Sequence, residues 1–547
     1  MRRPVRQPPP GVASPRLVLA LLALMVTAPL VAQRPPPNGA GVVQPWSPGA
    51  PAASLTRTLP GAPAMPSLLL APAPIVGAFW STGNPGAVAF DVARSRARYG
   101  LGWRQEKGTY RRPLDPADSR AATLDFSAWQ RVGEHGAAAG RVTAEQESLD
   151  PSSFAHLLDP YDSSPLVPTD SSTPAVRRVS ARLEGVLGWR LGSWGVGAGL
   201  GYDVSDLLTE ASKLPRIGRL ANPAVSAGLV RRFRLADLTV GLVGRYYERI
   251  QEYRIIARGA NGTGYPLIGL TEPSPLVITS ISSFFRRIEQ SARAYGLTLG
   301  GRVAGVSFAG YAADEHLREE QIHERQENPP VDTWVADGWS AGLAAQGRLP
   351  RVGALVTGQV RYAKLHGDAR RLDLEGIVVR GRESALDLAG EVRWATPDSL
   401  WYLAAVVTTR HESRVQLDYV AELRSDIGSW LPGAAVEIAR RVGPGTRVAF
   451  GAAYAGHYAA STMPNPTTKG PIYQLLIAPE LSLDASQAQA VAAQATLVHR
   501  LRGATSAWVR VGYERLAPAD TPGQSTLPLR PNGDRKGWSV SLGLVTN

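Results

Sequence analysis

The chain has no cysteine in its 547 residues. That absence excludes disulfides, thiolate metal sites and a lipidated N-terminal cysteine. Long apolar runs are missing as well. The longest, at residues 17–31, holds about 15 residues and is interrupted by Pro29, short of the roughly 20 that a spanning helix needs. Charged residues make up only 19% of the chain. Phosphate loops and dinucleotide fingerprints do not occur, because the glycine run from Gly195 to Gly201 repeats every second residue, the wrong spacing for either. No cofactor is expected. The formal charge is +13, but the arginines are spread over the chain and form no basic stripe, so nucleic acid is not an expected partner.

What is present begins with an export signal. Arg2, Arg3, Arg6 and Arg16 precede the apolar stretch, and Ala32 and Gln33 follow it, in the order of a positively charged region, an apolar region and a small-residue cleavage site. Residues 1–32 are read as a signal peptide. Residues 33–78 are rich in Pro, Ala and Gly, with Pro35, Pro36 and Pro37 consecutive, and read as a linker on the periplasmic side. Within it Leu68, Leu69 and Leu70 form a short apolar patch.

From there to residue 547 the sequence alternates. Trp194, Val196, Ala198, Leu200, Tyr202 and Val204 interleave with Gly195, Gly197, Gly199, Gly201, Asp203 and Ser205. In a strand this produces one apolar face and one small, polar face. Eighteen such segments can be marked, joined alternately by short connections such as Gly192 and Ser193 and by long ones such as 148–177, 316–338 and 459–489. The pattern predicts an all-β fold for residues 79–547: a transmembrane antiparallel up-and-down β-barrel of about 18 strands, with short periplasmic turns and long extracellular loops, in the outer membrane.

Two sets of residues follow from that register. The inward face is expected to carry Arg96, Arg98, Arg178, Arg182, Glu184, Arg245, Arg361, Asp387, Glu391, Arg393, Arg447 and Arg510, because an arginine facing lipid at midplane costs roughly 2–4 kcal/mol. The outward face carries Trp189, Trp194, Tyr202, Tyr246, Tyr362, Trp394, Trp401, Tyr454 and Tyr513. These would form two aromatic girdles, roughly 20 Å apart along the membrane normal from Trp194 to Tyr202. Trp508 and Tyr247 fall on the inward face, outside this scheme.

Catalytic and metal chemistry are weakly signalled. His411 lies near a loop rim, but no spacing links it to a particular serine or aspartate, and no enzyme activity is expected. On a helix His316, Glu320 and His323 would share a face suited to a first-row metal; a solvated charged loop is the preferred reading. Asp159, Asp162 and Asp170 are spaced too irregularly for a calcium loop.

The segment Phe79-Trp80-Ser81-Thr82-Gly83-Asn84-Pro85-Gly86, together with Asp159-Pro160-Tyr161 and Glu252-Tyr253-Arg254, resembles an uncharacterised family of bacterial outer-membrane β-barrels, in which a Trp and a Gly-Asn-Pro-small element precede the first strand. The resemblance implies location and fold, and companionship with TonB-dependent receptors. The expected function is a porin-like channel or an accessory of an uptake system; the alternatives are a non-conducting scaffold or adhesion barrel and, more remotely, a barrel hydrolase. Expected partners are outer-membrane lipid, lipopolysaccharide and a TonB-dependent receptor or other envelope protein.

Overall fold

The computed structural model describes residues 69–70, 76–92, 95–113, 115–150, 166–170, 175–209, 216–234, 237–255, 262–268, 276–278, 284–323, 331–371, 374, 376–462, 473–519 and 532–546. Among the described residues eighteen strands form one antiparallel sheet. In chain order they are β1 (Arg96–Gly108), β2 (Asp118–Val132), β3 (Gly136–Asp150), β4 (Val176–Leu191), β5 (Trp194–Thr209), β6 (Arg216–Arg232), β7 (Thr239–Ile255), β8 (Phe284–Val303), β9 (Val306–His323), β10 (Val331–Arg348), β11 (Leu355–Arg371), β12 (Gly376–Ala395), β13 (Trp401–Asp418), β14 (Leu423–Arg441), β15 (Thr446–Thr462), β16 (Ala488–Arg502), β17 (Thr505–Pro518) and β18 (Arg535–Thr546). Each pairs with its neighbours in the chain. β1 also pairs with β18, from Ala97 opposite Thr546 to Gly108 opposite Arg535, so the sheet closes and keeps no edge. No helix among the described residues is long and apolar enough to cross a membrane.

Short turns occupy one end of the barrel. Leu191 lies opposite Trp194 across Gly192, whose φ is 63°. Val303 lies opposite Val306 across Ala304 and Gly305, with φ of 49° and 84°, the positive-φ pair that matches the twist of a tight hairpin. At the other end run the long connections. Three short strands within them, Leu166–Asp170, Gly262–Ile268 and Leu276–Ile278, make a small separate sheet.

The strand count agrees with the alternation, but the strands are longer than the alternation suggests. Residues 316–338, expected as a loop, are mostly wall: β9 and β10 stay paired up to Ile322 opposite Val331. Likewise β13 and β14 stay paired up to Asp418 opposite Leu423. A strand of 20 residues such as β8, tilted near 40°, rises about 50 Å, twice an apolar band of about 25 Å. Above that band neither face meets lipid, so apolar alternation is no longer required and charges occupy both faces. This is also why His316, Glu320 and His323 are strand residues, without the helical spacing a metal face would need. Asp159 and Asp162 lie outside the described residues.

Outward positions carry exposed large apolar side chains, among them Leu200, Tyr295, Val407 and Phe450, each about two-thirds exposed. Their neighbours Gly199 and Gly201 are buried. The inner face is not uniformly small and polar: Leu317, Trp334, Leu365 and Val378 cluster there at 1–2% exposure.

Candidate functional site

The inside of the barrel is occupied by the protein's own chain at both ends. At the short-turn end the occupant is residues 76–92, comprising α1 (Ala78–Thr82), a 3-10 turn (Pro85–Ala87) and α2 (Val88–Asp91). Gly83, at φ 65°, ends α1 with its N–H bonded to the Phe79 carbonyl, a left-handed cap that glycine adopts without strain. Pro85 then opens the 3-10 turn, where its missing N–H costs nothing. Asn84 is fully buried. Its Nδ2 donates to the Leu242 carbonyl at 3.0 Å and to Thr298 Oγ1 at 2.9 Å, and its Oδ1 accepts from the Gly86 N–H at 2.9 Å. One side chain thus ties the segment to β7 and β8 while shaping its own turn.

The wall is cut to receive it. A Cβ at Gly228 would lie 2.0 Å from Asn84 Oδ1, one at Gly197 would lie 2.2 Å from the Pro85 carbonyl oxygen, and one at Gly195 would lie 2.3 Å from that of Gly86. Backbone therefore meets backbone on the inner surface of β5 and β6, and any larger residue would expel the segment. Phe79, Val88, Ala89 and Val92 bury their side chains against Ala137 and Val230 of the wall. Trp80 stacks edge-on against Trp129 at 5.3 Å. The Asp91 carboxylate accepts from the Phe79 N–H at 2.6 Å, at the start of α1. Burial pushes the Asp91 carboxyl up to about 6, against the opposing pull of the Phe79 and Trp80 N–H groups and of Arg232.

The same N-terminal stretch touches another arc of the wall. Leu70 is 1% exposed among Val498, Trp508 and Val545 of β16, β17 and β18, and its carbonyl accepts from Arg96 at 2.8 Å. The inward Trp508, foreign to a lipid girdle, is part of that seat.

At the long-connection end the segment before β16 turns inward as a π-helical turn (Tyr473–Ile477) and α3 (Ala478–Asp484). Tyr473, Ile477, Ala478 and Leu481 pack on Ile427 of β14. Glu480 and Asp484, one helical turn apart, both pair with Arg112, which is 3% exposed and comes from the connection between β1 and β2; the Arg112–Asp484 distance is 2.7 Å. Asp484 also pairs with Arg414 of β13 at 2.9 Å, and Arg414 with Glu383 of β12 at 3.1 Å. A polar cavity beneath α3 is lined by Arg112, Asp484, Arg414 and Glu383 with Arg410, Glu412, Ser384, Ser413, Ser429 and His457. His457 is 7% exposed, and its Nδ1 has no hydrogen-bond partner among the described residues.

The residues expected to line the lumen occupy varied settings. Arg178, Arg245 and Glu391 are buried; Arg96, Arg98, Arg182, Glu184, Arg361, Asp387, Arg393 and Arg510 are half-buried; Arg447 is exposed at the short-turn rim. Several are neutralised in place. Arg182 pairs with Glu184 at 2.8 Å, Arg393 with Glu391, and Asp387 with Arg410 at 3.6 Å. Arg98 stacks over Trp508 at 5.0 Å and Arg96 over Trp129 at 5.8 Å. Among the girdle residues Trp189, Trp194, Tyr202, Tyr246, Trp401 and Tyr454 are exposed, whereas Tyr362, Trp394 and Tyr513 are half-buried. Tyr362 packs against Trp339 at 4.9 Å and Tyr513 against Trp538 at 4.4 Å. His411 packs its ring on Trp430 at 4.6 Å.

Sequence reasoning missed Asn84 as a tether and Arg112, Glu480 and Asp484 as a clasp. The spacing Tyr473, Ile477, Leu481 with Glu480 and Asp484 is a helical signal inside what reads as a loop, and it was the available clue.

Residues 85–546 match a family described as one of unknown function, DUF6850. No curated protein matches the chain. Among solved structures the barrel is similar to the siderophore receptor PiuA from Acinetobacter baumannii, with 8% identity, 82% of this chain and 81% of that one covered, and a TM-score of 0.39. It is also similar to a Pseudomonas aeruginosa FadL homologue, with 12% identity, coverage of 90% and 99%, and a TM-score of 0.31. CdiB from Acinetobacter baumannii matches with 10% identity over 82% of this chain at a TM-score of 0.35, and the chain spans 60% of that protein's length.

Proposed function

The chain belongs to this family of unknown function, and from that premise we propose that it is an outer-membrane β-barrel acting as a gated conduit, an accessory of solute uptake whose N-terminal segment is the gate. The observation that carries the reading is the glycine-lined seat on β5 and β6 that accepts Asn84, Pro85 and Gly86 by direct backbone contact. A lumen that merely needed filling would be filled by larger wall side chains. A wall stripped to glycine under one short segment is built for an occupant that fits and can leave. The exposed apolar outer surface and the aromatic residues at both of its margins support a lipid surrounding. TonB-dependent receptors and lipopolysaccharide are the proposed neighbours, and the reading assigns no catalytic residue.

Conductance in planar bilayers tests it. The intact protein is expected to pass little or no current, and a variant lacking residues 33–92 is expected to open a large, steady pore. Steady large conductance of the intact protein would make it an open porin. Absence of current in both would favour the scaffold reading.

A further inference from the structure

We propose that the short-turn mouth of the barrel is a selecting ring for anionic solutes; the inference rests on the conduit reading and names the class of solute that the conduit serves. The eight short turns, at residues 130–136, 190–194, 231–238, 300–306, 347–353, 393–401, 440–447 and 499–505, contain fourteen arginines and only three acids, Glu134, Asp237 and Asp398, in a chain with 59 basic and 46 acidic residues. Every one of the eight carries at least one arginine. Acidic residues are thus nearly excluded from this rim while arginine is not.

Strand alternation turns many of these arginines toward the axis. Arg190 lies between the exposed, outward Trp189 and Leu191. Arg231 stacks outward on Trp194 at 5.2 Å, whereas Arg232 turns inward over Phe90 of the N-terminal segment at 5.7 Å. By the same parity Arg302, Arg348, Arg441 and Arg447 face the mouth. Part of the ring lies beside the segment that fills the lumen at this end. Gly195, Gly228 and Gly300, which touch residues 76–92, lie opposite Arg190 or within four residues of Arg232 and Arg302. Charge selects only where it meets a constriction, and Arg190, Arg232 and Arg302 flank the place where residues 76–92 occupy the lumen.

Pairing separates much of the ring from arginines such as Arg182 and Arg141 deeper in the barrel. Arg182 and Arg141 are held by Glu184 and Asp125 at 2.8 and 2.7 Å. At the mouth Arg393 is held by Glu391 and Arg232 pairs with Asp237 at 3.0 Å, while among the described residues Arg190, Arg302, Arg348 and Arg447 form no ion pair within 4 Å. Unneutralised guanidinium groups around a low-dielectric mouth focus a positive potential, and their planar forks suit carboxylate, phosphate and sulfonate oxygens.

The test uses the trisulfonated dye pyranine, titrated into the full-length protein in a neutral detergent and in phosphatidylcholine vesicles, with fluorescence anisotropy as the readout. The variant R190Q/R302Q/R348Q/R441Q/R447Q is expected to bind at least tenfold more weakly. R182Q, which removes a deeper, paired arginine, should stay within twofold. Binding should vanish in 1 M salt, where screening shortens to roughly 3 Å. If the fivefold variant fails to insert, the double variants R190Q/R302Q and R441Q/R447Q carry the test, each expected to weaken binding about threefold. Equal binding by these variants and wild type would overturn the proposal. So would loss of pyranine binding when phosphatidylglycerol replaces part of the phosphatidylcholine, because the ring would then serve lipid headgroups. The conduit reading fails separately: arginine-dependent binding without current after deletion of residues 33–92 would sink that reading alone.

Discussion

At Asp91 one carboxylate is spent on holding a helix against the inside of a barrel. Its position at the start of α1 satisfies N–H groups that a helix this short cannot satisfy itself, and its burial makes the charge costly. The sign of the resulting pH dependence follows from the raised value. Docked, the carboxyl keeps a proton up to about pH 6; free in water it would lose it near 3.8. The docked form therefore binds more protons between these values, and docking strengthens as pH falls through that window and weakens as it rises. Hydrogen-exchange protection of residues 78–91, corrected for intrinsic exchange, is expected to increase from pH 7 to pH 5 in the wild type and to be flat in Asp91→Asn. An unchanged wild-type profile would mean that the carboxyl titrates alike in both states. None of this was legible beforehand. An aspartate thirteen residues after the end of a proline-, alanine- and glycine-rich stretch carries no mark of its burial until the segment is folded back into a lumen.

Among the elements, α3 shows how much a few charges decide. Seven residues are too few for a stable free helix. What keeps α3 in place is apolar packing on β14 and the clasp of Arg112 and Arg414 on Asp484. Removing one partner of a buried pair leaves the other charge uncompensated, at a cost of roughly 3–5 kcal/mol. Asp484→Asn is therefore expected to release α3 from the lumen, seen as loss of exchange protection across residues 473–487 with the strands unaffected. Retained protection would show that the packing on Ile427 suffices. The strands themselves were readable because lipid on one side and interior on the other force a period of 2. The upper parts of β9, β10, β13 and β14 were not, because paired backbone outside the apolar band imposes no such period.

For the whole molecule, closure of the sheet and the difference between its two ends define the topology in a membrane. Protease added to intact cells is expected to cut within residues 151–165 or 324–330 and to spare Gly192 and Ser193. Cleavage confined to the short turns would invert the barrel. The expected cutting range near residue 330 is narrower than the loop lengths in the sequence suggest, since the flanking strands pair almost to their tips. Internal occupation at both ends is likewise a property of the whole: it distinguishes a gated or plugged barrel from an open one, although both would show the same alternation.

The sequence by itself determined the fold class, the strand number and the asymmetry of the two ends. All of these are local consequences of a period-2 pattern and of connection length, which neighbouring residues encode directly. Only the tertiary structure decided what the lumen holds. Asn84 meets Leu242 and Thr298, residues 158 and 214 positions away, Leu70 meets Val545, and Arg112 meets Asp484. The glycines of β5 and β6 look alike in sequence whether they face open water or the backbone of another segment. Such contacts come into being only when the sheet closes and brings distant segments into one interior, and no local periodicity records them.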